Sequence, residues 1–178
     1  MTDYTTLAMR TMKPMGSDAL DFAHAALGMV DESYELILST SEENTLEELG
    51  DLLWFVALAG QATMCHPFPA EQGLHDDDRG DGTILTMVEW LHEHASLLAG
   101  RAKKWMVSGK RPGDDVEFRL ARMVSLVRSI GEQYGWTLEH IQDANIRKLA
   151  ARYPEGYSDM RANHRDLYAE ERAIRGRS

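Results

Sequence analysis

Cysteine is almost missing: Cys65 is the only one in 178 residues. A lone cysteine excludes an internal disulfide framework and a cysteine-built zinc site, and it suits a reducing, cytoplasmic setting. Long hydrophobic runs are missing too. The longest, residues 52–60, has nine residues, against the ~20 that span a bilayer as a helix. The opening MTDYTTLAMR lacks a basic start followed by an apolar block, so no secretory signal is expected. Bases are in short supply, 19 against 29 acids, for a formal net charge of −10. That deficit argues against nucleic acid or an anionic membrane as partner, since both call for a basic surface. A polyphosphate is still open to such a chain, provided divalent cations intervene. No segment shows the two-residue alternation of a strand.

What is present is helical periodicity. At 20.1 kDa the chain suits one domain of the usual ~100–200 residues, large enough to bury roughly two-thirds of its surface. Apolar positions at helical spacing predict long helices over residues 18–40, 45–64, 83–107, 114–134 and 137–153. Asp114 is the expected N-cap of the fourth, Gly135 its C-cap, and Pro154 stops the fifth. Residues 66–82 combine prolines, glycines and the run Asp76-Asp77-Asp78, which reads as a solvated loop. A last helix is expected near residues 165–174. The expected architecture is an all-α bundle of about five main helices in one domain, with a hairpin at 18–64, supporting helices at 83–153 and a tail at 154–178.

Two motifs set acids on one helical face. Glu32 and Glu35 stand three apart on the first long helix, with Asp31 four before Glu35. Glu48 and Asp51 repeat the spacing on the next. An antiparallel hairpin would bring the pairs together, where the carboxylates repel one another unless cations intervene. Mg²⁺ and Mn²⁺ prefer such oxygen ligands. Acids three apart also occur on ordinary solvated helix faces, and Glu48 could instead answer Thr45 in a capping box. Asn44 is an equally good cap, with Glu47 as its partner. Two details favour a site. Asp51 lies in the apolar run LGDLLWFV, and Gly50 inside a helix costs about 1 kcal/mol against alanine, which suggests a close approach there.

The stretches AALGMVDESYEL, EELGDLLWFVALAG and ANIRKLAARYPEGYS resemble the MazG-like branch of the all-α nucleoside triphosphate pyrophosphohydrolases. That family carries E-x-x-E and E-x-x-D on a helical hairpin and a later N-x-x-K-L-x-x-R-Y-P segment. These match Glu32/Glu35, Glu48/Asp51, and Asn145, Lys148, Arg152, Tyr153 and Pro154. Lys103-Lys104 through Gly109-Lys110, and the tail from Asn163 to Glu170, look like those of longer, phage-type members. The departures are Asp31, where many members have glycine, and Tyr34, where a small residue is usual.

The resemblance implies hydrolysis of a nucleoside triphosphate to the monophosphate and pyrophosphate. It implies two or more Mg²⁺ ions, replaceable by Mn²⁺, held by Glu32, Glu35, Glu48 and Asp51, with Asp31 as a further candidate. Glu32 or Glu47 would take the proton of the attacking water. Asn145, Lys148 and Arg152, followed by Tyr153, would turn donors toward the phosphates, joined by Lys103 and Lys104. His24, on the same face as the first acids, would sit near the base or sugar, or simply pack. Trp54 would stack on the base or belong to the core. The phage-type features point to dGTP in 2-aminoadenine nucleotide metabolism, in the host cytoplasm, with dUTPase-like and broad-range housecleaning activities as alternatives. A homo-oligomer, dimer or tetramer, is implied as well. Two other classes remain open. A di-iron carboxylate bundle would need Glu-x-x-His on two helices, for which Glu89/His92 qualifies and Asp21-x-x-His24 is a poor second. A non-catalytic helical interaction module would use the acids only for solubility. If the acids mainly repel one another, neutralising Glu35 or Asp51 should leave the fold as stable or more so.

Overall fold

The helices begin where a short polar side chain can satisfy an orphaned amide. In the computed structural model, which describes residues 3–68, 82–113 and 115–176, the described residues form eight α-helices and no strand. Five are long: α2 (Asp18–Leu38), α3 (Glu42–Thr63), α4 (Ile84–Ser108), α5 (Asp115–Gln133) and α6 (Leu138–Arg152). Three are short: α1 (Tyr4–Met9), α7 (Asp159–Asn163) and α8 (Leu167–Ile174). The all-α class and the five long helices are as the periodicity predicts. The first helix, α1, is not foreseen, because six residues are too few to display a period.

Ser17, Thr83 and Thr137 accept the amides of Leu20, Thr86 and His140 at the starts of α2, α4 and α6. On α3 the cap is Ser41, which accepts the amide of Asn44, so neither Asn44 nor Thr45 caps it. Thr45 donates to the Ser41 carbonyl at 3.1 Å instead. Neither capping box forms, and Glu47 and Glu48 are left within the helix. The expected cap Asp114 and the Asp76–Asp78 run lie outside the described residues.

Only residues 39–41 join α2 to α3, so the two run antiparallel, packed along their length. α3 is the hub: it touches α1, α2, α5, α6 and α8. Its Leu49, Leu52, Leu53, Val56 and Ala57 are wholly buried, each large aliphatic side chain contributing about 1.5–3 kcal/mol. Packed on so many sides, the middle of this helix buries Glu48 and leaves Asp51 partly buried, so these acids must find partners. Gly50 explains how α6 approaches it: a Cβ at residue 50 would lie 2.9 Å from the Asn145 Cβ. This is the close approach that a glycine inside a helix implied. No helix among the described residues is long and apolar enough to cross a membrane.

Candidate metal and ligand site

Side-chain spacing carries Glu32 of α2 and Glu48 and Asp51 of α3 to one point between the two helices. Each offers a carboxylate oxygen, and the three oxygens lie within 4.8 Å of one another. Glu48 is only 8% exposed. Glu32 and Glu48 share a hydrogen bond, the Glu32 carboxyl donating. Burial, then the Asp51 charge and this bond, push Glu32 up to about 9. Burial and the charges of Asp51 and Glu47 raise Glu48 to about 7, although the bond from Glu32 works the other way. Oxygen atoms gathered this closely fit a hard divalent cation, whose charge removes the repulsion that otherwise keeps protons there.

The four-acid set expected from the family pattern is not the set that converges. Glu35 is exposed and outside the group, although its charge contributes to raising Glu32 and Glu48. Asp31, a residue before Glu32 and so about 100° round the helix, is exposed and outside it too.

Lys148 and Asn145 reach the acids rather than open space. Lys148 is 1% exposed; its ammonium bonds Asp51 Oδ2 and lies 3.1 Å from Glu47 Oε1. Burial alone would lower its pKa, but the charges of Asp51 and Glu47 outweigh that and raise it. Asn145 Nδ2 donates to the other Asp51 oxygen at 2.9 Å. Tyr4 Oη in turn donates to Asn145 Oδ1 at 3.0 Å, which leaves the amide group only one orientation. Lys148 and Asn145 therefore hold Asp51 by its two oxygens. Replacing Tyr4 by Phe strands the buried Asn145 carbonyl, at about 1–3 kcal/mol. A thermal melt should fall by roughly 2–4 °C per kcal/mol; an unchanged melt would show that Tyr4 does not support the cluster.

Beside the acids lies a cavity of about 360 Å³, walled by Glu32, Asp51, His24, Trp54, Phe55, Arg152, Tyr153 and Tyr157 among others. Trp54 is half-buried, its indole N–H bound to the Ala8 carbonyl at 3.1 Å and to Thr11 Oγ1 at 3.0 Å. Phe55 meets it edge-on, ring centres 4.9 Å apart, and His24 stands edge-on to Phe55 at 5.6 Å. Burial lowers the His24 pKa, so the ring is neutral near pH 7. Its Nδ1 is buried without a partner, and so is Nε of Arg152. The rest of that guanidinium is fixed by Nη2 to Glu170 at 2.5 Å. Buried polar atoms ordinarily find partners. Here two such atoms belong to residues lining one cavity.

Lys103 and Lys104 belong elsewhere: they line a separate cavity at the end of α4 that shares no residue with this one. His92, the best di-iron candidate, has Nδ1 2.9 Å from Ser33 Oγ, and no histidine joins a metal-binding group among the described residues. Sequence reasoning missed Tyr4, Phe55, Tyr157 and Glu170. Only Glu170 carried a hint, as part of the tail resemblance. No protein-family model, curated protein or solved structure matches the chain.

Proposed function

We propose that this protein is a metal-dependent nucleoside triphosphate pyrophosphohydrolase of the MazG-like kind. One observation carries the reading: three carboxylates converge, and two of them, Glu32 and Asp51, line an aromatic-walled cavity together with His24 and Arg152, which each carry an unpartnered buried nitrogen. A base suits the aromatic part, where Trp54, Phe55 and Tyr153 offer ring surfaces and neutral His24 can exchange a hydrogen bond with a base edge. Arg152 suits an anionic oxygen. Glu32, Glu48 and Asp51 would hold Mg²⁺ or Mn²⁺, and Glu35, on a flexible stem a turn from Glu32, is the side chain available to a second ion. The bound cation supplies charge neutralisation on the phosphates and a more acidic water.

The chain's own residues do the rest. Lys148 and Asn145 hold Asp51 by both oxygens, so the cluster is oriented before a ligand arrives. Glu47 is committed to Lys148 on one oxygen and stands beside Glu48, a position from which it can accept a proton from a nearby water. The phage-type likeness makes dGTP the first substrate to try, before dUTP and the common ribonucleotides. A homo-oligomer is in keeping with α2, where Leu20, Leu27 and Tyr34 recur every seven residues and are all exposed.

The test is a panel of eight common NTPs and dNTPs with Mg²⁺, with products separated by chromatography. Monophosphate and pyrophosphate are expected for at least one nucleotide, and no turnover in EDTA. Diphosphate with free phosphate, or activity that survives EDTA, would refute the reaction. Failure to bind any nucleotide with Mg²⁺ would favour a non-catalytic module.

A further inference from the structure

The chain is acidic overall, yet one cavity is strongly basic. Beyond the C-terminus of α4, a space of about 460 Å³ is lined by Arg101, Lys103, Lys104, Lys110 and Arg111, with Asp115 the single acid among the described lining residues. That acid is already spent. Asp115 Oδ2 accepts from Arg101 Nε and Nη2 at 3.1 and 2.7 Å and from Arg119 Nε at 3.2 Å. Arg111 is also placed, donating to the Ala62 carbonyl at 3.0 Å and lying over the Trp105 ring at 5.5 Å. The ammonium groups of Lys103, Lys104 and Lys110 have no hydrogen-bond or ion-pair partner among the described residues. Three lysines with unpartnered ammonium groups therefore line one cavity.

The surrounding backbone is held in shape. Gly109 takes a left-handed φ of 67° and returns its amide to the Trp105 carbonyl at 2.8 Å. Ser108 Oγ donates to the Lys104 carbonyl at 2.7 Å and accepts the Lys110 amide at 3.3 Å. Arg111 ties the segment back to α3. A lysine near a helix C-terminus is ordinarily explained by the helix dipole. That accounts for Lys104 at most, because Lys110 lies beyond the helix and Lys103 more than a turn before its end.

We infer that this cavity is an anion site for a short polyphosphate chain, separate from the acidic cluster. Three or four negative charges in a compact chain match three free ammoniums plus the outer edges of two arginines. A long polyanion such as nucleic acid is disfavoured, because the remaining surface of a −10 chain repels it. The inference does not rest on the activity proposed above.

The full chain is titrated calorimetrically with inorganic pyrophosphate in metal-free buffer, where the acidic cluster has no cation to hold a phosphate. Saturable binding of one pyrophosphate per chain is expected. Replacing Lys103, Lys104 and Lys110 together by alanine should weaken it at least tenfold, while the triple arginine variant retains it. All three side chains are exposed at the site, so circular dichroism should be unchanged. Glu32→Gln with Glu48→Gln should bind as wild type does. No saturable binding, equal affinity in the alanine variant, or loss in the glutamine variant would each overturn the site. A nucleoside triphosphate is titrated alongside. Comparable affinity shows that the phosphate chain is what is recognised; binding of the nucleotide but not of pyrophosphate overturns the assignment.

Discussion

Asp51→Asn and Glu32→Gln are expected to abolish most turnover alike and to move the melting temperature of the metal-free protein in opposite directions. Each removes a charge from the trio that would hold the cation. Such a contact is worth several kcal/mol in the transition state, so losses of about a hundredfold or more follow at ~1.36 kcal/mol per tenfold. Stability separates them. Glu32 is a carboxyl that burial has already neutralised, so an amide of the same size replaces it at little cost and removes the charge that forms as pH rises. Asp51 is the opposite case. It compensates Lys148, and its loss leaves a buried ammonium with Glu47 alone. A hydrogen bond to a charged group is worth about 1.5–3 kcal/mol, so Asp51→Asn should melt roughly 3–12 °C lower at about 2–4 °C per kcal/mol. The melting temperature of Glu32→Gln relative to wild type should rise steadily from pH 6 to pH 8.5. This corrects the simpler expectation that removing any of these acids relieves repulsion, since Asp51 is paired rather than merely crowded. Glu35→Gln, outside the trio, should cost less activity than Asp51→Asn. Melting curves in chelator alongside pyrophosphate release decide the matter; if Asp51→Asn melts as high as wild type, the Lys148 bridge carries no stability.

Mn²⁺ binding near neutral pH should expel a proton and tighten as pH rises. Glu32 is pushed up to about 9 and Glu48 to about 7, whereas in the unfolded chain both sit near 4.5. The folded state therefore keeps protons that the unfolded state has lost. This contribution to metal-free stability is fully present below about 4.5 and is lost as pH climbs through about 7 and then about 9. The cation takes the deprotonated carboxylates, so its apparent affinity should rise up to about tenfold per pH unit between roughly 7 and 9 and level off above. At a hundredfold excess over Kd it adds about 2.7 kcal/mol of stability, so the Mn²⁺-induced rise in melting temperature should grow over the interval where the metal-free protein weakens. Calorimetry in two buffers of different ionisation enthalpy counts the protons released. Glu32→Gln should release fewer. Affinity independent of pH from 6.5 to 9 would show that the cluster does not bind the ion through these carboxyls.

The helices themselves were legible in the sequence, because what makes them is local. Apolar spacing and the hydroxyls at 17, 83 and 137 act within a turn or two, so the long elements begin and end within a few residues of expectation. The pairing of Glu32 with Glu48 and Asp51 was also legible, since a short link between two amphipathic helices leaves the hairpin little choice. Gly50 announced a neighbour without naming it. What only the tertiary structure decided was which charges meet. Asn145 and Lys148 reach Asp51 across 94 and 97 residues of chain, Tyr4 reaches Asn145 across 141, and Lys103 and Lys104 share no wall with the acids that the family pattern gave them. Sequence spacing orients a side chain on its own helix. Which residue compensates a buried charge is settled only when helices close on one another and exclude the water that would otherwise have served.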